Sequence, residues 1–103
     1  KELKSNNGML FLYDVPIKVN IWMHRTLIPL DIIFIDELNV IISLKVGKPL
    51  TKKIISSQKI VSAVLEIPAG CAKKLKIKKG DKINWILKSN HEIENIGYFH
   101  CLN

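Results

Sequence analysis

A short polar segment holds the residue types that acid–base chemistry needs. His24, Arg25 and Thr26 are consecutive, and Asp31 follows five residues later. A carboxylate beside an imidazole orients the ring for proton transfer, and a guanidinium can hold a carboxylate or phosphate. Because Asp31 lies within an apolar run, its charge needs partners, and backbone amides of a turn could supply them. We favour this cap, with His24 exposed, and keep an enzyme with a His24–Asp31 acid–base pair as an alternative.

Trp22 comes directly before this segment and is the main candidate for a binding residue. Alternation along the strand places it on the polar face with Lys18, Asn20 and His24. An exposed indole on a strand can stack on a sugar, a base or a proline. The alternative is that Trp22 packs beneath a loop or the helix, with its N–H group hydrogen-bonded. The ligand of a binding module would lie near Trp22, His24, Arg25 and Thr26.

Glu66 is the other charged residue inside an apolar strand. We interpret it as half of a structural ion pair with Arg25 or Lys18 across the sheet, and add it to the candidate ligand-binding residues only as a secondary member. The chain has no Gly-x-Ser-x-Gly elbow, no phosphate-binding Gly-rich loop with Lys and no Cys-x-x-Cys pair. The three histidines lack metal-ligand spacing. The sequence therefore predicts no catalytic residue, no metal and no cofactor.

The chain is basic, with a formal net charge of +7. Lys accounts for almost all of the positive charge, and Ile and Asn are abundant too, which is typical of an AT-rich genome. Six lysines lie between Lys73 and Lys82 without interleaved aromatic residues. Because nucleic-acid readers rely on Arg for bidentate base contacts and on aromatic stacking platforms, we interpret these lysines as a solvated face and argue against a nucleic-acid partner. Weak binding to nucleic acid or an anionic surface stays a third alternative.

Periodicity of two dominates the hydrophobic pattern and predicts strands. The predicted strands are Met9–Tyr13, Ile17–His24, Leu30–Asp36, Val40–Val46, Lys59–Ile67 and Lys82–Leu87. Residues 36–39 fit a hairpin turn, and residues 47–57 read as a long loop that ends in an edge strand. A short helix is predicted over 68–76, with Cys71, Ala72 and Leu75 inward.

The domain predicted from this pattern is a single β-rich unit over residues 1–88, followed by a loosely attached C-terminal tail over 89–103. Cys71 reads as a small core residue, and with Cys101 it does not make a disulfide framework. No apolar run approaches the ~20 residues that span a bilayer, and no basic start leads into an apolar stretch as in a signal peptide. The chain does not begin with Met, so a removed signal stays open.

Three blocks of residues carry a resemblance to a known family. They are Gly-Met-Leu-Phe at 8–11, the run from Ile21 to Asp36 and the run from Val64 to Asp81. Over residues 8–85 the chain resembles the bacterial and archaeal family called domain of unknown function 192. The resemblance implies a compact β-rich fold with one short helix, no assigned activity, and an extracytoplasmic setting like that of many members.

The chain departs from the family pattern in two ways. The family usually has Lys-Asn where this chain has His24-Arg25, which puts in doubt any role of that amine and amide. The family domain also opens with a strand and a helix that residues 1–7 do not match. A missing strand leaves an uncovered sheet edge, so we expect self-association or reduced stability.

Together these observations predict an all-β sandwich or partly open barrel of about six strands with one short helix. The leading functional hypothesis is a non-catalytic accessory module that binds a small ligand or a protein partner. Its candidate ligand-binding residues are Trp22, His24, Arg25, Thr26, Asp31 and Glu66.

Overall fold

The fold was obtained as a computed structural model that describes residues 8–85 in full and the backbone of residues 7 and 94–98. The elements are β1 (Asn7–Trp22), β2 (Leu30–Ile35), β3 (Ile41–Gly47), β4 (Ile54–Pro68), α1 (Cys71–Lys74) and β5 (Glu94–Tyr98). The described strands form one antiparallel sheet in the order β3-β2-β4-β1-β5. This confirms the predicted all-β fold with one short helix. The sheet is open rather than closed, and five strands are described where about six were expected.

Strand β2 lies between β3 and β4 and is buried along its whole length. Ile32 and Phe34 point into one apolar core, whereas Ile33 and Ile35 point into another. A strand that is apolar on both faces is what a central position requires, because both faces of the sheet are covered there. The prediction of a central strand is therefore confirmed.

The sheet buries apolar side chains on both faces. The first core contains Met9, Val19, Ile21, Met23, Leu30, Ile32, Phe34, Val61 and Val64. The second contains Leu10, Ile33, Ile35, Ile41, Ala63, Leu65, Ile67, Cys71 and Ala72. Since Cys71 and Ala72 belong to α1, the helix covers the second face.

Strand β1 is one long strand rather than the two predicted on either side of Asp14-Val15-Pro16. Its pairing with β4 shifts register between Leu12 and Ile17, so residues 13–16 form an irregularity in the strand instead of a break. Such a bulge accommodates Pro16, which has no N–H to donate to a ladder. Local sequence predicted a break there because only the partner strand shows that pairing resumes.

Strand β4 begins at Ile54, five residues before the predicted start at Lys59. The pairing of β1 with β4 shifts register a second time, between Lys18 and Asn20. There the buried Ser57 hydroxyl accepts a hydrogen bond from Val19 N at 2.9 Å and donates one to Lys59 O at 2.6 Å. Gln58 beside it has a left-handed backbone with φ 63°. The side-chain bond maintains the pairing across the irregularity, so the edge strand expected at the end of residues 47–57 is the first part of β4 rather than a separate element.

The two halves of β4 have different neighbours. Residues 63–66 pair with both β1 and β2 and residues 67–68 with β2, whereas the paired residues between 54 and 61 pair with β1 alone. On the N-terminal side of residue 63, β4 no longer pairs with β2. The first half of β4 therefore has an open edge in the described sheet. This open edge faces the end of β3 and forms one wall of the site described below.

The C-terminal part of the described chain differs most from the prediction. Helix α1 ends at Lys74, and Leu75 is 48% exposed instead of inward, because the helix is too short to continue its buried stripe. Lys82 makes an isolated bridge to Val40, but residues 83–85 form no strand. The rest of the predicted strand, residues 86–87, lies outside the described residues. The backbone of Glu94–Tyr98 pairs with β1, although residues 89–103 were expected to be loosely attached.

Two further observations concern the predicted surface. Val46 was expected to face inward, but it is 62% exposed, because β3 is an edge strand whose last residues lack a second neighbour. Within the residues that the structure describes, no helix is long and apolar enough to cross a membrane.

Candidate functional site

Trp22 ends β1 on the surface, with 53% of its side chain exposed. Its Nε1 donates a hydrogen bond to Lys52 O at 3.1 Å. Its ring stacks on His24, with 4.6 Å between the ring centroids and 11° between the planes. The polar end of the indole is therefore satisfied within the protein, while about half of the side chain stays accessible to a ligand.

Met23 fixes the backbone between the two stacked aromatic residues. It lies between Trp22 and His24 in sequence and is fully buried in the first core. Its carbonyl accepts from Thr26 N, which closes a turn, and from Leu50 N, each at 3.1 Å. These bonds tie the end of β1 to the 48–53 loop, so the stacked pair projects from a fixed base.

A cavity of about 550 Å³ lies beside Trp22, between the end of β3 and the first half of β4. It is lined by Lys45, Val46, Lys48, Thr51, Lys53, Ile54, Ile55, Ser56 and Gln58. Ile54 is the register partner of Trp22. Because directly paired residues of antiparallel strands point to the same face, the indole lies next to the Ile54 side chain at the edge of the cavity.

The charge of the cavity lining is entirely positive. Three lysines contribute to it, and none of the lining residues is acidic. Lys45 Nζ donates to Ser56 O at 2.8 Å and so bridges the gap between β3 and β4. Lys48 and Lys53 are exposed. Apolar side chains and three cations therefore meet in one concave region, and an aromatic surface lies at its edge.

Arg25 and Thr26, predicted near the ligand, have different environments. Arg25 is exposed in the turn beside His24. Thr26 is buried, with 2% exposure. Its amide donates to Met23 O in the turn, and its carbonyl accepts from Leu50 N in the 48–53 loop. Of these two residues, only Arg25 is accessible to a ligand.

Asp31 is a structural cap. Its Oδ2 accepts hydrogen bonds from Gly70 N at 3.0 Å and Ala72 N at 2.9 Å, and the residue is only 7% exposed. The favoured interpretation, a carboxylate that bonds backbone amides, is confirmed, but His24 is half-buried against Trp22 rather than exposed. Because His24 stacks on Trp22 while Asp31 faces the start of α1, the structure does not bring them together as an acid–base pair.

Glu66 is fully buried and lies outside the candidate site. It pairs in register with Met9 and Ile32, whereas Lys18 pairs with Ile60, six residues along β4. Arg25 follows β1 at the same end as Lys18. Register pairing across the sheet therefore does not place Glu66 opposite Lys18, one of its two expected partners.

The cavity was missed by the sequence analysis because most of its lining comes from residues 47–57, which were predicted as a loop, and periodicity does not show how that segment folds against the end of β3. The signal that could have revealed part of it was Lys45, a cation that interrupts a strand otherwise rich in apolar residues. Among the described residues, no three His, Cys, Asp or Glu side chains group closely enough to hold a metal ion. Cys71, predicted as a core residue, is buried and disulfide-bonded; the other cysteine, Cys101, lies outside the described residues.

Fold and site together define a small all-β domain with an aromatic and cationic surface cavity. Residues 1–85 match the model of domain of unknown function 192 (DUF192), described as an uncharacterized ACR. The chain belongs to this family, as the resemblance implied. No curated protein matches the chain.

Two solved structures are similar to this one. A protein of unknown function from Novosphingobium aromaticivorans DSM 12444 is 37% identical, with a TM-score of 0.74 over 81% of this chain and 60% of the other. A protein from Sinorhizobium meliloti 1021, provisionally named a transcription regulator, is 37% identical, with a TM-score of 0.70 over 73% of this chain and 59% of the other. The matched region thus spans about three fifths of each of these proteins.

Proposed function

We propose that this domain is a non-catalytic module that binds a small ligand against Trp22 and His24, at the edge of the neighbouring cavity. The observation that carries the proposal is the half-exposed indole, fixed by its N–H bond to Lys52 and by stacking on His24. A rigid aromatic side chain loses little conformational entropy when a ligand packs on it. The cavity size is in the range of small-molecule sites, roughly 300–1,000 Å³.

Two observations favour binding over catalysis. The Asp31 carboxylate is engaged by two backbone amides of the α1 region, and His24 has its ring against Trp22. The remaining groups around the cavity are lysines, hydroxyls, an amide and apolar side chains. This set can hold and orient a ligand, and it contains no carboxylate to accept a proton.

An oxidising compartment fits this module. Disulfides persist mainly in extracellular and periplasmic proteins, and Cys71 is disulfide-bonded. The extracytoplasmic setting implied by the family resemblance is therefore part of the proposal.

The experiment that tests the proposed function is a ligand screen by thermal unfolding, followed by titration calorimetry of each compound that stabilises the chain. The panel holds monosaccharides, oligosaccharides, peptidoglycan fragments, nucleotides and divalent metals. A ligand at a hundred times its dissociation constant stabilises by ~2.7 kcal/mol, which raises the Tm of a domain this size by roughly 10 °C or more.

Trp22→Ala should weaken binding of a true ligand about tenfold or more, since a stacked aromatic contributes ~1–3 kcal/mol. Val15→Ala is the matched control, because Val15 is an exposed apolar residue of the same strand that does not line the cavity. Hits that survive Trp22→Ala unchanged would place the ligand elsewhere and refute this site. A complete absence of hits would contradict the small-ligand proposal.

A further inference from the structure

Lys45 is the residue of the cavity that indicates the charge of its ligand. Its ammonium group is partly buried and bonded to Ser56 O at 2.8 Å, across the gap between two strands that do not pair there. An ammonium carries three N–H donors. The Ser56 bond uses one of them and fixes the position of the charge, so two donors stay available on a cation that is already held in place.

Lys48 and Lys53 add two more positive charges to the same cavity, and no acidic side chain lines it. Repulsion among like charges in a concave site is relieved by an anion. The cavity is therefore electrostatically complementary to a negatively charged group, and the neighbouring apolar surface of Trp22 and Ile54 is complementary to a flat ring.

We infer that the ligand of this site is a small ring compound that carries a carboxylate or phosphate. Its ring packs on Trp22, and its anionic group lies in the cavity among Lys45, Lys48 and Lys53. The inference rests on the proposed function and adds the chemical class of the ligand. The cavity volume of about 550 Å³ favours a compact ligand over a polymer, which would need a continuous groove.

The test compares anionic ring compounds with matched neutral ones. Adenosine 5′-monophosphate is titrated against adenosine, and glucuronate against glucose, by calorimetry at low and high ionic strength. One of the two anions should bind at least about tenfold more tightly than its neutral counterpart, since a hydrogen bond to a charged group contributes that much. The pair that shows this difference tells whether the ring is a base or a sugar.

Lys45→Met should remove most of the preference for the anion. Because this change also removes the Ser56 bond and could disturb the fold, a second variant combines Lys48→Gln and Lys53→Gln at exposed positions. The matched control is Lys73→Gln with Lys74→Gln, which removes the same charge from the exposed side of α1. The control should bind the anion as the unchanged protein does.

Several outcomes would overturn the inference. Equal, Trp22-dependent affinity for neutral and anionic rings would refute the anionic class while leaving the proposed function intact. An equal loss in the Lys73/Lys74 control would show a diffuse charge effect rather than a site. Tighter binding of an oligothymidylate, with steep salt dependence, would point to nucleic acid. No binding of either anion would reject the ligand class, while the wider screen still tests the proposed function.

Discussion

Asp31 shows how one buried carboxylate can hold two distant parts of the chain together. It lies in the central strand, and its Oδ2 accepts from backbone amides at Gly70 and Ala72, about forty residues later. The amides at the start of a helix have no partners within the helix, so the carboxylate satisfies them as an N-cap residue would. The cap fixes α1 over the second core, to which Cys71 and Ala72 belong.

Asp31→Ala should therefore destabilise the domain by about 2–3 kcal/mol, because two amides lose a charged acceptor. The Tm should fall by roughly 10–20 °C, and urea unfolding should show a lower midpoint with an unchanged slope. Asp14→Ala is the control, since Asp14 is an exposed acid in the bulge of β1 and its loss should stay within about 0.5 kcal/mol. Equal stability of the two variants would argue against the capping role.

At the residue scale, the sequence predicted the features that follow from local physics. A charge in an apolar strand must find partners, which indicated the cap of Asp31, and alternation placed Trp22 outward. It could not predict that Lys45 bonds Ser56, because β3 and β4 are not neighbours in the sheet and the contact depends on how the two strands approach each other in space. The stacking of His24 on Trp22 likewise depends on the turn closed by Met23 and Thr26.

At the element scale, Gly47 at the end of β3 sets how closely that strand approaches the turn after β1. A Cβ at this position would lie 2.7 Å from Met23 Sδ and 3.0 Å from Ile32 Cδ1. Both side chains are fully buried, so neither can move aside without repacking the first core. The absence of a side chain at Gly47 thus lets Met23 sit beneath the aromatic pair.

Gly47→Ala should destabilise the domain by about 1–3 kcal/mol, the usual cost of overpacking a core. The change should be measured by urea unfolding against Val46→Ala, which truncates the exposed neighbour and should alter stability by less than about 0.5 kcal/mol. If Gly47→Ala were as stable as that control, the close packing on Met23 would not limit this position.

Element boundaries were predictable where the hydrophobic periodicity was regular and the contacts that fix the boundary lie within one short segment of the chain. The β2–β3 hairpin is an example: its turn is held by Asp36 Oδ1, which accepts from Leu38 N at 2.9 Å and Val40 N at 3.0 Å. The continuity of β1 through Pro16 was not predictable, nor was the joining of the edge strand expected at the end of residues 47–57 to the strand predicted from Lys59. Both depend on pairing between partners far apart in sequence, as does the addition of β5 to the edge of β1.

At the scale of the whole molecule, β3 is an edge of the described sheet and presents an exposed Val46. Edge strands offer unpaired backbone groups to other chains, and lysines near them discourage pairing. Lys45 and Lys48 flank this residue, and the net charge of +7 keeps copies apart at low salt. The proposed self-association through a sheet edge should therefore depend on ionic strength.

Sedimentation analysis should show a larger mean mass at high than at low salt, as screening removes the repulsion between copies. Val46→Lys should suppress this increase, because a charge on the edge resists pairing. Val15→Lys adds the same charge in the bulge of β1, away from β3, and should leave the association unchanged. A protein that stays monomeric in all three forms at high salt would contradict association through β3.

The long pairing of β1 with β4 also determines when the chain can fold during synthesis. Met9 pairs with Glu66, and Trp22 pairs with Ile54, so β1 has no partner in β4 until most of the described chain has been made. At ~5–20 residues per second, Met9 waits roughly 3–11 s for Glu66 to be synthesised. The β2–β3 hairpin can form during that interval, while the apolar residues of β1 stay open to chaperones and to neighbouring nascent chains.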